Sequence, residues 1–216
     1  MQAGRDGAVR QCSPFLAKFL MHAHRLLIGL CAAAALTALG GRAGAADVAA
    51  GKALAEACAP CHGADGVSQT ALTPSLAGQP DEFVQWQLVY YRSGARKNEV
   101  MQPISEALGN EEIRNLGAYY ASLPPPQPAV PPDALAQRGE ELAAQHRCRS
   151  CHAEDYNGFR AAARLSSQRE DVLVKALRDF KSGQRVGSGV ASMADVMFEL
   201  NDADIQALSR YLAVRP

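Results

Sequence analysis

The chain has 216 residues, 22 basic and 22 acidic side chains, a hydrophobic fraction of 48% and a single Trp. That composition excludes a collagenous, low-complexity or largely disordered protein, and the length allows one or two domains. With no basic excess to neutralise phosphates, nucleic acid is not an expected partner.

The charge is unevenly placed. Arg5, Arg10, Lys18, Arg25 and Arg42 stand against Asp6 alone in the first 46 residues, so residues 47–216 carry 17 basic and 21 acidic side chains, a net of −4. From Met21 the sequence reads MHAHR, then the apolar run LLIGLCAAAALTAL, then GGRAGAAD. A basic segment, a 14-residue apolar run and a small-residue cleavage site are the parts of a signal peptide. The run falls short of the roughly 20 residues that span hydrocarbon. Residues 1–46 are therefore expected to be a cleaved leader, with Met1 or Met21 as the start and the mature chain beginning near Asp47. Export leaves four cysteines, Cys58, Cys61, Cys148 and Cys151.

After the leader, an alanine-rich helix is predicted over residues 49–59 and a Gly, Pro, Ser and Gln-rich loop over 63–80. Phe83, Trp86 and Tyr90 follow at i, i+3 and i+7, and Met101 lies in a turn-like segment. Ile113, Leu116 and Tyr120 repeat the helical spacing behind the acidic first turn Asn110-Glu-Glu112. Residues 124–132, PPPQPAVPP, hold six prolines in nine positions, which cannot continue a helix and mark a semi-rigid boundary. Beyond it come a loop over 153–168, then Leu173, Leu177 and Phe180, a turn-like segment with Met193 and Met197, and Ile205, Leu208 and Leu212 behind Asn201-Asp-Ala-Asp204. No window alternates long enough for a strand.

The two halves are copies of each other. CAPCH at 58–62 and CRSCH at 148–152 stand 90 apart, and Leu76-Ala-Gly-Gln79 answers Leu165-Ser-Ser-Gln168 at an offset of 89. Tyr91-Arg-Ser-Gly-Ala-Arg96 answers Phe180-Lys-Ser-Gly-Gln-Arg185 at the same offset, and Met101 and Ile113 answer Met193 and Ile205 at 92. The expected organisation is a leader over 1–46, a first domain over 47–123, a linker over 124–132 and a second domain over 133–216. Each half is small enough to need a staple beyond its own core.

Two cysteines three apart in a helical turn put both thiols on one side of the backbone, where they can add to the vinyl groups of a haem, and the following histidine can then bind the iron. C-x-x-C-H is the signature of c-type haem attachment. A thioredoxin-like pair needs a βαβ context, structural zinc needs four ligands where each half offers two Cys and one His, and so close a pair makes a labile disulfide. For the sixth ligand the mature chain offers Met101, 39 residues past His62, and Met193, 41 past His152, with Met197 one helical turn beyond as a competitor. His146 lies on the attachment side and reads as a surface or packing residue. His/Met ligation fills both axial positions, leaves no place for substrate and favours the ferrous state, so the expected work is one-electron transfer.

The pattern G-K-x5-C-x-x-C-H-G over 51–63, P-x-L-A-G-Q over 74–79, Y-x-S-G-x-R, the Met, and I-x-x-L-x-x-Y-Y-A-S-L over 113–123, given twice behind a leader, resembles the dihaem class I cytochromes c of the cytochrome c-four type. The resemblance spans nearly all of residues 47–216. It implies an all-α chain of two tandem class I cytochrome c domains, head to head, with two covalently bound haem c groups and their propionate edges facing across the interface. Cys58, Cys61, Cys148 and Cys151 would be the thioether anchors, His62 and His152 the proximal ligands, and Met101 and Met193 the distal ones. Pro74 would offer its carbonyl to the proximal histidine. The second half departs, with Ala163-Arg-Leu-Ser-Ser-Gln168 in place of the proline and glycine, and Ala153 after the motif histidine; a backbone acceptor does not require proline. The resemblance further implies a periplasmic electron carrier rather than an enzyme, with redox protein partners: a quinol-oxidising complex or dehydrogenase as donor, a membrane haem-copper oxidase as acceptor, and membrane association only through them. A haem subunit of a dehydrogenase complex, a dihaem peroxidase or a haem ligand sensor are the alternatives. Arg96 and Arg185 are candidates for the propionates. Arg147, Arg149, Arg160, Arg164 and Arg169 crowd the second motif, either as a docking patch or as a solvated face.

Overall fold

The computed structural model describes residues 45–128, 130–185 and 191–216, and the leader and both candidate starts lie outside the described residues. Residues Ala46–Pro216 fold as one unit. In chain order the helices are α1 (Val48–Ala55), α2 (Ala59–His62), α3 (Asp81–Arg92), α4 (Met101–Glu106), α5 (Asn110–Ser122), α6 (Ala134–Gln145), α7 (Arg149–His152), α8 (Glu170–Lys181), α9 (Ala191–Phe198) and α10 (Asp202–Val214). The second five repeat the first five. No strand occurs among the described residues; Arg96 and Arg185 form one of two isolated antiparallel bridges.

Each half has the same frame. In the first, α5 receives α1 and α3, and α4 rests on α3; in the second, α10 receives α6 and α8, and α9 rests on α8. The terminal pair is held by side-chain caps. Asp47 accepts from the N–H groups of Ala49 and Ala50, and Asp133 accepts from that of Ala136. Glu112 turns back to the Gly109 N–H, and Asn201 and Asp204 bond each other's backbone N–H, so the acidic first turns act as capping boxes.

The crossing of the first and last helix is set by glycine. A Cβ on Gly51 would lie 2.1 Å from the Asn115 carbonyl oxygen, and one on Gly139 would lie 2.0 Å from that of Ala207. Behind those carbonyls stand Tyr119 and Tyr211, whose own Cβ atoms are 2.8 and 2.6 Å from the added carbon. Only a residue without a side chain lets the backbones approach this closely.

Two local expectations are corrected. The first helix stops at Ala55 and the chain turns before restarting at Ala59, so residues 49–59 are not one helix. The methionine segments are short helices, not turns. Asn98 accepts from the N–H groups of Val100 and Met101, and Pro103 sits in the first turn of α4, where its missing N–H is not needed. The buried face of α3 is led by Val84, in register with Leu173 of α8, while Trp86 is 46% exposed and stacks on Tyr90 at 5.7 Å. Apolar residues lie on both sides of α3, and the Phe83, Trp86, Tyr90 spacing follows the outer one.

Gly51→Ala and Gly139→Ala are each expected to lower unfolding free energy by roughly 2–3 kcal/mol, the range for overpacking a rigid contact, read from the midpoint of denaturant unfolding.

Candidate functional site

Each C-x-x-C-H motif is folded by its own short helix. α2 and α7 carry the histidine at their last position, with the first cysteine capping each start. Cys58 and Cys148 are half-buried, Cys61 and Cys151 are exposed, and all four are free thiols. The thiol pairs therefore stand open to an incoming group rather than closed on each other. Burial pushes the Cys58 thiol above its ordinary value, partly offset by a hydrogen bond with Tyr120, and raises Cys148 likewise.

The histidines are held alike. His62 Nδ1 lies 2.8 Å from the Pro74 carbonyl oxygen, and His152 Nδ1 lies 2.8 Å from that of Ala163. A carbonyl only accepts, so the proton is on Nδ1 and the lone pair is on Nε2. Burial pushes both imidazoles below their ordinary value, more than these bonds raise them, which keeps them neutral and able to ligate. The absent proline in the second half costs nothing in reach. Phe159 and Ala162 bridge each other there and present the Ala163 carbonyl at the same distance.

The departures from the motif do leave strain. Gly63 sits at φ +86°, and Ala153 holds the same place at +67°; Gly78 at +69° is answered by Ser167 at +56°. These side chains occupy the left-handed region that favours glycine.

Met101 is half-buried at the start of α4, and Met193 is half-buried at the third position of α9, against the second core. Met197 is different, at 2% exposure inside that core. Its counterpart in the first half is Ser105, fully buried, so this position faces inward in both copies. His146 is half-buried at the end of α6, with Nδ1 3.8 Å from Glu199.

The two halves meet around a self-complementary set of contacts. Gln79 donates to the Arg164 carbonyl and accepts from its N–H, both at 3.0 Å. Gln168 donates to the Ser75 carbonyl and accepts from its N–H, both at 2.9 Å. Since Gln168 repeats Gln79 and Arg164 repeats Ser75, the same pair is made twice with the halves exchanged. Sequence reading saw these glutamines only as landmarks of the repeat; their matched recurrence beside the histidine loop was the available signal.

Arg96 and Arg185 face each other at the same seam. Both donate to Gln87 Oε1, at 2.7 and 2.9 Å, and they stack over Tyr91 and Phe180. Neither forms an ion pair among the described residues. Burial, and then the charge of Arg96, push the Arg185 guanidinium down to about 9; burial also lowers Arg96. Two half-buried cations that feel Asp179 without forming an ion pair to it can accept an anion from outside the polypeptide, chemistry that the propionates of two haems would supply. Together with open thiol pairs and Nε2 lone pairs, they make the donor set fit haem c. Among the described residues no cluster of three or more His, Cys, Asp or Glu forms an alternative metal site.

Of the arginines crowding the second motif, Arg164 is buried, Arg169 pairs with Asp171 at 2.9 Å, and Arg149 lies over the Tyr156 ring. Arg147 and Arg160 alone of the five are exposed.

A helical repeat, each copy presenting a C-x-x-C-H turn with an oriented histidine, defines a tandem haem-binding electron carrier. The Cytochrome c family pattern matches residues 48–124 and 136–214, and the chain belongs to the cytochrome c family. It is 32% identical to cytochrome c4 of Pseudomonas aeruginosa over 88% of this chain and 98% of that protein. It is 33% identical to the thiosulfate dehydrogenase electron acceptor of Thiomonas intermedia over 75% of this chain and 80% of that protein. The fold matches the crystal structure of reduced cytochrome c4 from Pseudomonas stutzeri with a TM-score of 0.73 at 30% identity, covering 80% of this chain and all of that one. The chain is thus a dihaem electron-transfer protein with two covalently bound haem c groups, working with redox partners rather than as an enzyme.

Ala153→Gly is expected to stabilise the second half by about 1 kcal/mol, relief of the positive φ outweighing the added chain entropy, as measured by denaturant unfolding followed at the second haem.

Proposed function

We propose that this chain is exported to the periplasm and carries single electrons from a quinol-oxidising complex or dehydrogenase toward a haem-copper oxidase. The matched bonds from His62 and His152 to their loop carbonyls carry the reading, because they orient two imidazoles identically while leaving each Nε2 free. Cys58, Cys61, Cys148 and Cys151 anchor the two groups, His62 and His152 are the proximal ligands, and Met101 and Met193 the distal ones. Burial of Met197 in the second core, at a place the first half gives to Ser105, favours Met193 over its neighbour. The leader over 1–46 directs export, and the proline-rich segment 124–132 separates domains 47–123 and 133–216. Among the described residues no helix is long and apolar enough to cross a membrane, and membrane contact comes through partners.

Bound haem supplies a reversible ferric/ferrous couple. The chain does the rest. Met101 and Met193 would offer thioether sulfur to the two irons, a soft donor that favours the ferrous state, and the hydrogen-bonded histidines hold their orientation so that little rearranges when the charge changes. Arg96 and Arg185 sit at the seam as the cationic partners of the propionates. A second reading, a haem subunit acting as the acceptor of a dehydrogenase, is favoured by the likeness to the Thiomonas protein named as an electron acceptor. It differs only in which donor delivers the electron.

The processed protein is expected to carry two haem additions by mass spectrometry; fewer than two overturns the reading. Met193→Ala is expected to remove about half of the ferric sulfur-to-iron charge-transfer band and to admit carbon monoxide at one haem, whereas Met197→Leu leaves the band intact; the reverse pattern exchanges the two assignments. Arg185→Gln is expected to lower a midpoint potential by tens of millivolts, a cation having been withdrawn from beside the iron, with the effect read by redox titration.

A further inference from the structure

The peptide that holds each histidine is shared between the two halves. Pro74 contributes its carbonyl oxygen to His62 Nδ1, and the N–H of the same peptide unit, that of Ser75, donates to Gln168 Oε1 at 2.9 Å. In the other direction, the Ala163 carbonyl accepts from His152 Nδ1, and the N–H of that peptide unit, at Arg164, donates to Gln79 Oε1 at 3.0 Å. Ser75, Gln79, Arg164 and Gln168 are all buried. Each chain of bonds thus runs from imidazole through one peptide group to a buried glutamine of the opposite half.

We propose that Gln168 and Gln79 are positioning residues that set the reduction potential across the seam: Gln168 of the second half acts on the first haem, and Gln79 of the first half acts on the second. The physical route is polarisation of one amide. When a peptide N–H donates a hydrogen bond, electron density moves onto its carbonyl oxygen, which becomes a stronger acceptor; in a low-dielectric site such chained bonds reinforce one another. A stronger bond at Nδ1–H gives the imidazole more imidazolate character, and a more basic ligand stabilises the ferric ion. Gln168 therefore holds the first potential below the value that His62 and Pro74 alone would give, and Gln79 does the same for the second. By linkage the effect is reciprocal. Oxidation makes Nδ1–H a better donor, which polarises the peptide N–H toward the opposite half and tightens the seam in the oxidised protein.

The inference rests on His62 and His152 being the proximal ligands. Its test is redox titration of the full haem-loaded chain, with each potential assigned to its domain by the shifted methyl resonance of the axial methionine. Gln168→Met keeps the shape and removes the hydrogen bonds. It is expected to raise the first potential by a two- to fourfold change in the ferric/ferrous ratio at fixed solution potential, about 18–36 mV at 59 mV per tenfold, with the second unmoved. Gln79→Met is expected to do the converse. The His62 Nδ1–H proton resonance should move upfield in Gln168→Met while that of His152 stays. Gln168→Glu, which retains an acceptor for the Ser75 N–H, should leave the first potential at or below the parent's. If either Met variant does not fold, the other and the Glu variant carry the same crossed comparison. A shift confined to the haem of the substituted half, equal shifts of both haems, or no shift in a protein still holding two haems and both sulfur ligands overturns the inference alone. Loss of the underlying reading has a separate signature, since the unsubstituted protein would then lack two haem additions or histidine ligation.

Discussion

The hydrogen bond from each imidazole Nδ1 to a loop carbonyl is the constraint around which the rest is arranged. It selects the tautomer, fixes the ring plane and leaves the Nε2 lone pair free, so one 2.8 Å contact orients a buried histidine for ligation. The motif turn supplies the histidine, and the long loop after it supplies the carbonyl. That loop is in turn pinned to the last helix, through the Gly78 N–H on the Tyr120 carbonyl in one half and the Ser167 N–H on that of Leu212 in the other.

That last connection explains why the helix crossing tolerates no side chain at Gly51 or Gly139. The first helix leads into the motif and the last helix anchors the acceptor loop, so their separation fixes the distance between histidine and carbonyl. Packing, capping and ligand geometry are thus one problem. The second half meets it with a less suitable sequence, keeping Ala153 and Ser167 in glycine conformations and reaching the same bond length.

Much of this was legible in the sequence because it is local or repeated. The motif spacing, the acidic first turns and the matched landmarks reveal two helical copies and their attachment sites without any knowledge of packing. What escaped was non-local. Spacing reveals α3 as a helix through Phe83, Trp86 and Tyr90 but does not say which side meets α5. The helix at Met101 depends on a side-chain cap from Asn98, three residues upstream, which composition hides behind a turn-like sequence. Met197 lies buried in the core at the place of Ser105 while Met193 is half-buried, a difference that spacing does not show. The glutamine bonds join residues 85 and 93 positions apart, beyond the range of any local rule.

A duplicated fold that closes on itself obliges whatever lies on the axis to look at its own image. Arg96 and Arg185 are such images, bridged backbone to backbone with Gln87 between them. Like must confront like at that point, and no single substitution copied into both repeats can put opposite signs there. Asp179 offsets part of that repulsion, and acidic groups arriving from either side would offset more, so bound cofactors would complete the seam electrostatically as well as filling each half.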